Sequence, residues 1–225
     1  PTYKLSYFPN RNLAEVSRQL FHLAGVAFED KRYSKEEFEE VKSTMPFGKM
    51  PVLEVDGKQL PQSFAIARYL ANQFGYYPSL HFLLQWFMNI FSTLRYAGKN
   101  DFEKGWVDAI GDQIKDYYAE FSPTYRAIVG IEGDKTKEAL EQKGIPARDK
   151  FYPHIEKILK ENGSGYLVGN SLTWIDLMIV DHMDALDGFI PGFYDGFPTL
   201  LALRKKVQSE PKVKEYLAKR PYSKY

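Results

Sequence analysis

The sequence predicts a mixed α/β unit over residues 1–76 followed by an all-helical domain over 97–225. Three observations carry that division. Strand and helix patterns alternate up to Leu70 in the order β-α-β-α-β-β-α. Asp56-Gly57 separates two short runs and is a strong hairpin signal, because both central residues of the favoured turn need positive φ. Beyond residue 97 helical periods dominate and no convincing strand pattern appears.

Each element has its own signal. Residues 2–8 alternate large and polar side chains and read as a strand, which Pro9 and Asn10 end. Leu13, Val16, Leu20 and Leu23 then fall at helical spacing, with Gly25 as the stop. Residues 26–33 read as a second strand. Ser34 with Glu37 forms a capping box for a charged helix through Val41. Pro51 precedes Val52–Val55 and so stands at a strand's first residue, one of the few places a sheet tolerates proline. Gln62 and Ser63 precede the helical run Phe64–Leu70, whose free N–H groups and partial positive charge make a seat for a carboxylate. Strand–helix–strand links imply parallel pairing and the hairpin adds an antiparallel strand, so the sheet is expected to be mixed. In the second half a long amphipathic helix starts near Val107, and Phe151, Ile155, Ile158 and Leu159 mark another. Thr173 and Asp176 stand at capping-box spacing, with Leu172 and Leu177 able to staple the helix start. Val207 to Leu217 reads as one last amphipathic piece.

Bulk composition excludes several classes. Hydrophobic content of 44% with 16% aromatic residues suits a globular chain. Thirty basic and 29 acidic side chains leave a net charge of +1, which gives no electrostatic case for nucleic acid or an acidic membrane. The absence of cysteine excludes disulfides, thiolate metal sites and a cysteine nucleophile. It fits a reducing compartment, and with no signal-peptide pattern at the start the expected location is cytoplasmic. The leading Pro1 suggests a removed initiator methionine. His22, His81, His154 and His182 share no ligand spacing. His182 beside Asp181 and Asp184 lies in a helical run with no second cluster facing it, so no metal is expected.

Tyr7 closes the first strand and supplies a phenolic donor. A donor aimed at a thiol sulfur favours the thiolate, which is the nucleophile. The runs Ser43-Thr-Met-Pro-Phe-Gly-Lys-Met-Pro-Val-Leu-Glu-Val-Asp-Gly57 and Gln62-Ser-Phe-Ala-Ile-Ala-Arg-Tyr-Leu70 resemble the glutathione site of sigma-class glutathione transferases, a class that includes glutathione-dependent prostaglandin D synthase and the lens S-crystallins. The resemblance implies a thioredoxin-like first domain and a helical second domain. It implies Tyr7 as the catalytic tyrosine and a cis bond before Pro51. It also implies Met50 as the backbone partner of the cysteinyl part, and Gln62 and Ser63 as the seat of the γ-glutamyl carboxylate. By the same resemblance Phe38, Lys42, Gly48 and Lys49 stand near the glycyl end. Asp116 would reach the γ-glutamyl amine of a partner subunit, making the protein a homodimer. The acceptor site is expected at Phe8, Asn10, Leu13, Tyr118, Phe121, Tyr222 and Tyr225, whose aromatic walls suit a hydrophobic electrophile.

Three departures from the class stand out. Phe38 replaces the usual tryptophan and loses an indole N–H donor, at a cost of about 0.5–1.5 kcal/mol in tripeptide affinity. Asn12 and Leu13 stand where many members carry an arginine that assists thiolate formation, which predicts slower turnover. Lys115 interrupts the acidic cluster of Asp112 and Asp116 through which some synthases bind a divalent cation. Residues 77–96 interrupt the class pattern altogether. They read as translated intron or otherwise foreign sequence, as an extra helix with a narrow polar stripe at His81, Gln85, Asn89 and Ser92, or as a membrane-surface helix with one basic residue, Arg95. The implied activity is conjugation of glutathione to hydrophobic electrophiles, a detoxification reaction, with peroxide reduction as a side activity. Alternatives are a glutathione-dependent prostaglandin-type isomerase and a non-catalytic carrier or lens-type protein.

Overall fold

The computed structural model describes residues 1–74, 96–130 and 136–223. Residues 77–95 of the atypical segment and Tyr225 lie outside them. The first half comprises β1 (Tyr3–Tyr7), α1 (Glu15–Ala24), β2 (Glu29–Arg32), α2 (Lys35–Val41), β3 (Val52–Val55), β4 (Lys58–Pro61) and α3 (Ser63–Phe74). The sheet order is β2-β1-β3-β4. β1 runs parallel to β2 and antiparallel to β3, and β3 pairs antiparallel with β4. Only the first strand–helix–strand link is therefore parallel. After α2 a short 3-10 turn at Lys42–Thr44 and the loop to Pro51 bring the chain back, so that it enters the sheet from the opposite end.

Local chemistry sets the boundaries. Ser34 Oγ accepts from Glu37 N at 3.1 Å and Glu37 Oε2 accepts from Ser34 N at 2.7 Å, the reciprocal box the spacing predicts. Asp56 and Gly57 take φ of 47° and 80°, as the hairpin requires. The second strand is shorter than 26–33. Val26 N–H bonds Phe21 O and Gly25 N–H bonds His22 O, a Schellman closure of α1 that uses Val26 before the strand begins. Phe28 then stacks on Phe21, with centroids 4.2 Å apart.

The second half comprises α4 (Asp101–Ile128), α5 (Ile145–Asn162), α6 (Trp174–Asp187), α7 (Pro198–Ser209) and α8 (Pro211–Lys219). The expected single piece from Val207 to Leu217 is two helices. Glu210 leaves the helical region at ψ 126° and Pro211, which has no N–H to give, opens α8 instead of continuing α7. One buried cluster runs through both halves, from Leu5, Leu20 and Ile66 to Ile114, Tyr152 and Trp174. α1 is buried from Val16 through Phe21, with Glu15 and Arg18 buried too, because it packs on α3, α6 and α8 at once. Gly111 on α4 allows the closest approach: a Cβ there would meet Trp174 Cη2 at 2.6 Å. Gly111→Ala is expected to lower stability in a urea melt. The overpacking cost of about 1–3 kcal/mol outweighs the roughly 1 kcal/mol gain in helix propensity.

Candidate active site

Three strand ends meet at one edge of the sheet. Ser6 pairs with Val52, and Val52 pairs with Pro61. One residue further along the same row stand Tyr7, Pro51 and Gln62. Strands lie about 4.8 Å apart, so the three fall within about 10 Å of one another along the row. The Met50–Pro51 bond is cis. Ser63, buried, opens α3 beside them. Gln62 is exposed and held at φ 77°, a left-handed conformation that costs a non-glycine residue about 1–3 kcal/mol and is typical of binding sites. Its carbonyl accepts Ile66 N at 2.9 Å, so the N–H groups of the first turn of α3 have no intrahelical partner.

Tyr7 is 4% exposed. Burial pushes its phenol up to about 12, against the Leu13 N–H bonded to it and the nearby Arg18 guanidinium, which both pull it down. The hydroxyl is thus a proton donor throughout the neutral range. Rings run outward from it edge to face: Tyr7 to Phe8 at 5.5 Å, and Phe8 to Phe38 at 5.4 Å. Phe38 also packs with Met45 and Val52, which fixes α2 against the loop before β3. Lys42 Nζ lies 5.7 Å from the Phe38 ring and pairs with Glu39 at 3.1 Å. Lys49 is exposed, Met50 is half-buried, and Gly48 turns the loop between them and Met45 at φ 58°.

A pocket of about 280 Å³ lies between the two halves. Of the expected acceptor residues it brings together Leu13, Tyr118 and Phe121, with Ser63 on the same wall. Phe8 and Asn10 do not line it: Phe8 is held between Tyr7 and Phe38, and the Asn10 carbonyl accepts Arg18 Nη1 at 2.6 Å. Tyr222 is 92% exposed and does not reach it. Asp116 faces a different groove on α4, shared with Trp106, Glu120 and Lys150, and is exposed.

Arg18 is a residue the sequence reading missed. It is buried on α1, its guanidinium carbon lies 6.0 Å from the Tyr7 ring centroid, and it bonds Phe8 O, Asn10 O and Asp30. It fastens the turn that follows the tyrosine and places a guanidinium behind the Tyr7 ring. A charge network joins it to the second half. Glu15 accepts Tyr216 OH and Arg220 Nη1, each at 3.0 Å, and Arg220 Nη1 is 3.5 Å from Asp181 Oδ1. Its one sequence trace was a run of charged residues inside an apolar helix, Glu15 and Arg18.

Asp184 is held by Arg204 and Gln208, and among the described residues no group of three His, Cys, Asp or Glu side chains is arranged to hold a metal. His182 packs against the rings of Tyr117, Tyr118 and Phe121, with Nε2 3.2 Å from Tyr117 OH. Burial pushes its imidazole down to about 3. Between that value and about 6.5 the unfolded chain therefore binds a proton that the folded chain refuses, so this group's contribution falls as pH falls. Relative to His182→Phe, the unmodified chain is expected to lose about 2 kcal/mol on going from pH 7 to pH 5, at about 1.4 kcal/mol per pH unit below 6.5. Paired urea melts at the two pH values check it; a constant difference between the two proteins would be the contrary result.

Residues 3–72 match the family described as "Glutathione S-transferase, N-terminal domain" and residues 112–220 the one described as "Glutathione S-transferase, C-terminal domain". The chain is 42% identical over 226 residues to Glutathione S-transferase 1 of Ascaris suum, covering all of both chains. Among solved structures it is similar to a Nu-class glutathione S-transferase of Haemonchus contortus, with 45% identity, a TM-score of 0.82, and 100% and 99% of the two chains covered. It is similar also to a glutathione S-transferase of the hookworm Necator americanus described as monomeric, with 42% identity, a TM-score of 0.87 and both chains wholly covered. A prostaglandin synthase D of Nilaparvata lugens stands further off, with 32% identity, a TM-score of 0.77, and 99% and 100% covered.

Proposed function

The chain belongs to the glutathione S-transferase family, and on that basis we propose that it conjugates reduced glutathione to hydrophobic electrophiles by attack of a thiolate that Tyr7 stabilises. The observation that carries this reading is the row of Tyr7, Pro51 and Gln62 at the sheet edge with Ser63 opening a helix beside it. A tripeptide with a carboxylate at one end and a thiol in the middle fits that row. Gln62 and Ser63 take the γ-glutamyl carboxylate at the helix start, where N–H groups and the helix dipole favour an anion. Met50 offers its backbone to the cysteinyl part, strand-fashion. Lys42, Gly48 and Lys49 surround the glycyl end, with Phe38 as an apolar wall. Tyr7 donates to the sulfur. Lowering a thiol pKa by about 2 units needs about 2.7 kcal/mol of preference for the thiolate, the order of one charge-assisted hydrogen bond. The pocket of Leu13, Tyr118 and Phe121 takes the electrophile, which becomes bonded to sulfur as its leaving group departs or its double bond takes up a proton.

The finer reading is a sigma-type enzyme acting as a homodimer, with Asp116 completing the partner's glutathione site. The exposed position of Asp116 in an open groove is compatible with it, and sedimentation against protein concentration tests it. A glutathione-dependent isomerase of the prostaglandin type is the second reading, favoured by the similarity to the Nilaparvata enzyme and tested by product analysis with an endoperoxide. The deciding experiment for the family activity is an absorbance assay with 1-chloro-2,4-dinitrobenzene. Glutathione-dependent product above the spontaneous rate is expected. Its absence with that acceptor and with a Michael acceptor would leave a carrier of hydrophobic ligands.

A further inference from the structure

Among the described residues three that are not glycine take a positive φ: Asn12, Asp56 and Gln62. Asp56 belongs to the hairpin, and Gln62 stands in the row with Tyr7. Asn12, at φ 40°, opens the short 3-10 turn Asn12–Ala14 that leads from the end of β1 into α1. Asparagine enters this region more readily than most residues, and strained backbone gathers at functional sites. Its side chain shows what fixes it there. Nδ2 donates to the Tyr125 hydroxyl at 2.7 Å, a tie from the turn to α4 between positions 113 residues apart. Both residues line the pocket between the two halves. The next peptide unit reaches the phenol: Leu13 N–H bonds the Tyr7 oxygen. That N–H lies in the rigid plane shared by Asn12 and Leu13, so the backbone of Asn12 sets where it points. A hydroxyl that accepts a hydrogen bond is polarised by it and donates more strongly through its own hydrogen.

We propose that Asn12 is a positioning residue: held in its left-handed conformation by Tyr125, it aims the Leu13 N–H at Tyr7 and so strengthens the bond that Tyr7 gives to the sulfur. The inference rests on reading Tyr7 as the donor to the thiolate. Ultraviolet titration of glutathione bound to the full chain, with no acceptor present, tests it on Asn12→Gly and Tyr125→Phe. Glycine takes a φ of 40° without strain and removes the donor of the tie, and phenylalanine removes its accepting oxygen. Each is expected to raise the apparent thiol pKa by about 0.5 unit, which is about threefold less thiolate at a pH below it. The double variant is expected to move it no further than either single one, because both delete the same bond. A titration unmoved by either substitution, or a double variant in which the two shifts add, overturns the proposal. A tie that only braces the fold gives the first of these results, with a lowered urea midpoint beside it. An ordinary thiol pKa in the unmodified complex refutes the reading of Tyr7 and this inference together; a lowered one that neither substitution moves refutes this inference alone.

Discussion

Tyr7→Phe is expected to lower kcat for conjugation about 10- to 100-fold, the equivalent of losing a charge-assisted hydrogen bond of about 1.5–3 kcal/mol. The substitution removes one oxygen from a ring that is already buried and packed on Phe8, so no cavity opens. It leaves the Leu13 N–H without the phenol oxygen, which costs on the order of 1 kcal/mol in stability and does not unfold the chain. The effect should therefore separate from folding. Titration of the ultraviolet absorbance of bound thiolate gives the direct check: the apparent thiol pKa is expected to rise by about 1–2 units in the variant. The glutathione dissociation constant should change little, since the carboxylate seats are untouched. An unshifted thiol titration would remove Tyr7 from the mechanism and turn attention to Arg18, whose guanidinium stands behind the same ring.

Asp176→Ala is expected to have the largest effect on stability, about 3–5 kcal/mol, enough to abolish a folded product for a chain of ordinary stability. Asp176 is fully buried. Its Oδ1 accepts Leu167 N at 2.9 Å, and its Oδ2 accepts Thr173 N and Thr173 Oγ1, each at 2.8 Å. Burial pushes the carboxyl up to about 6 while those donors pull it down, so it stays ionised at neutral pH. Alanine would leave two buried N–H groups without acceptors, one on the loop after α5 and one at the start of α6. Asp176→Asn should recover only part of the loss, because its single oxygen can serve one side only. Urea midpoints, or the soluble yield where the variant does not fold, measure both. A midpoint within 1 M of the unmodified protein for the alanine variant would mean that the loop and the helix are held by other contacts.

What could be read from the chain beforehand was mainly what is encoded within a few residues. The Ser34–Glu37 box, the reach of Asp176 back to Thr173, the Asp56-Gly57 turn and the stop at Gly25 each rest on backbone groups less than one helical turn away. Tyr7, Pro51 and Gln62 were singled out by resemblance, and the register aligns them. Properties that depend on distant partners were not legible. The direction of β3 depends on how a loop returns to the sheet. Val207 to Leu217 read as one amphipathic piece because apolar periodicity continues across Pro211, where the missing N–H ends one helix and opens the next. Phe8 was assigned to the acceptor walls, yet ring packing draws it toward Phe38. The ties among Glu15, Arg18, Asp181 and Arg220 join positions up to 205 residues apart and leave no periodic trace.

Those ties and the burial of α1 from Glu15 through Phe21 have a consequence for the chain as an object. A segment buried from Glu15 through Phe21, packed on α3 and on two helices from the far end of the sequence, belongs to neither half. The boundary expected near residue 96 from the sequence has no counterpart in the packing of the described residues. Neither fragment made by cutting there would carry a finished surface, and the two would have to be brought back together to make either one.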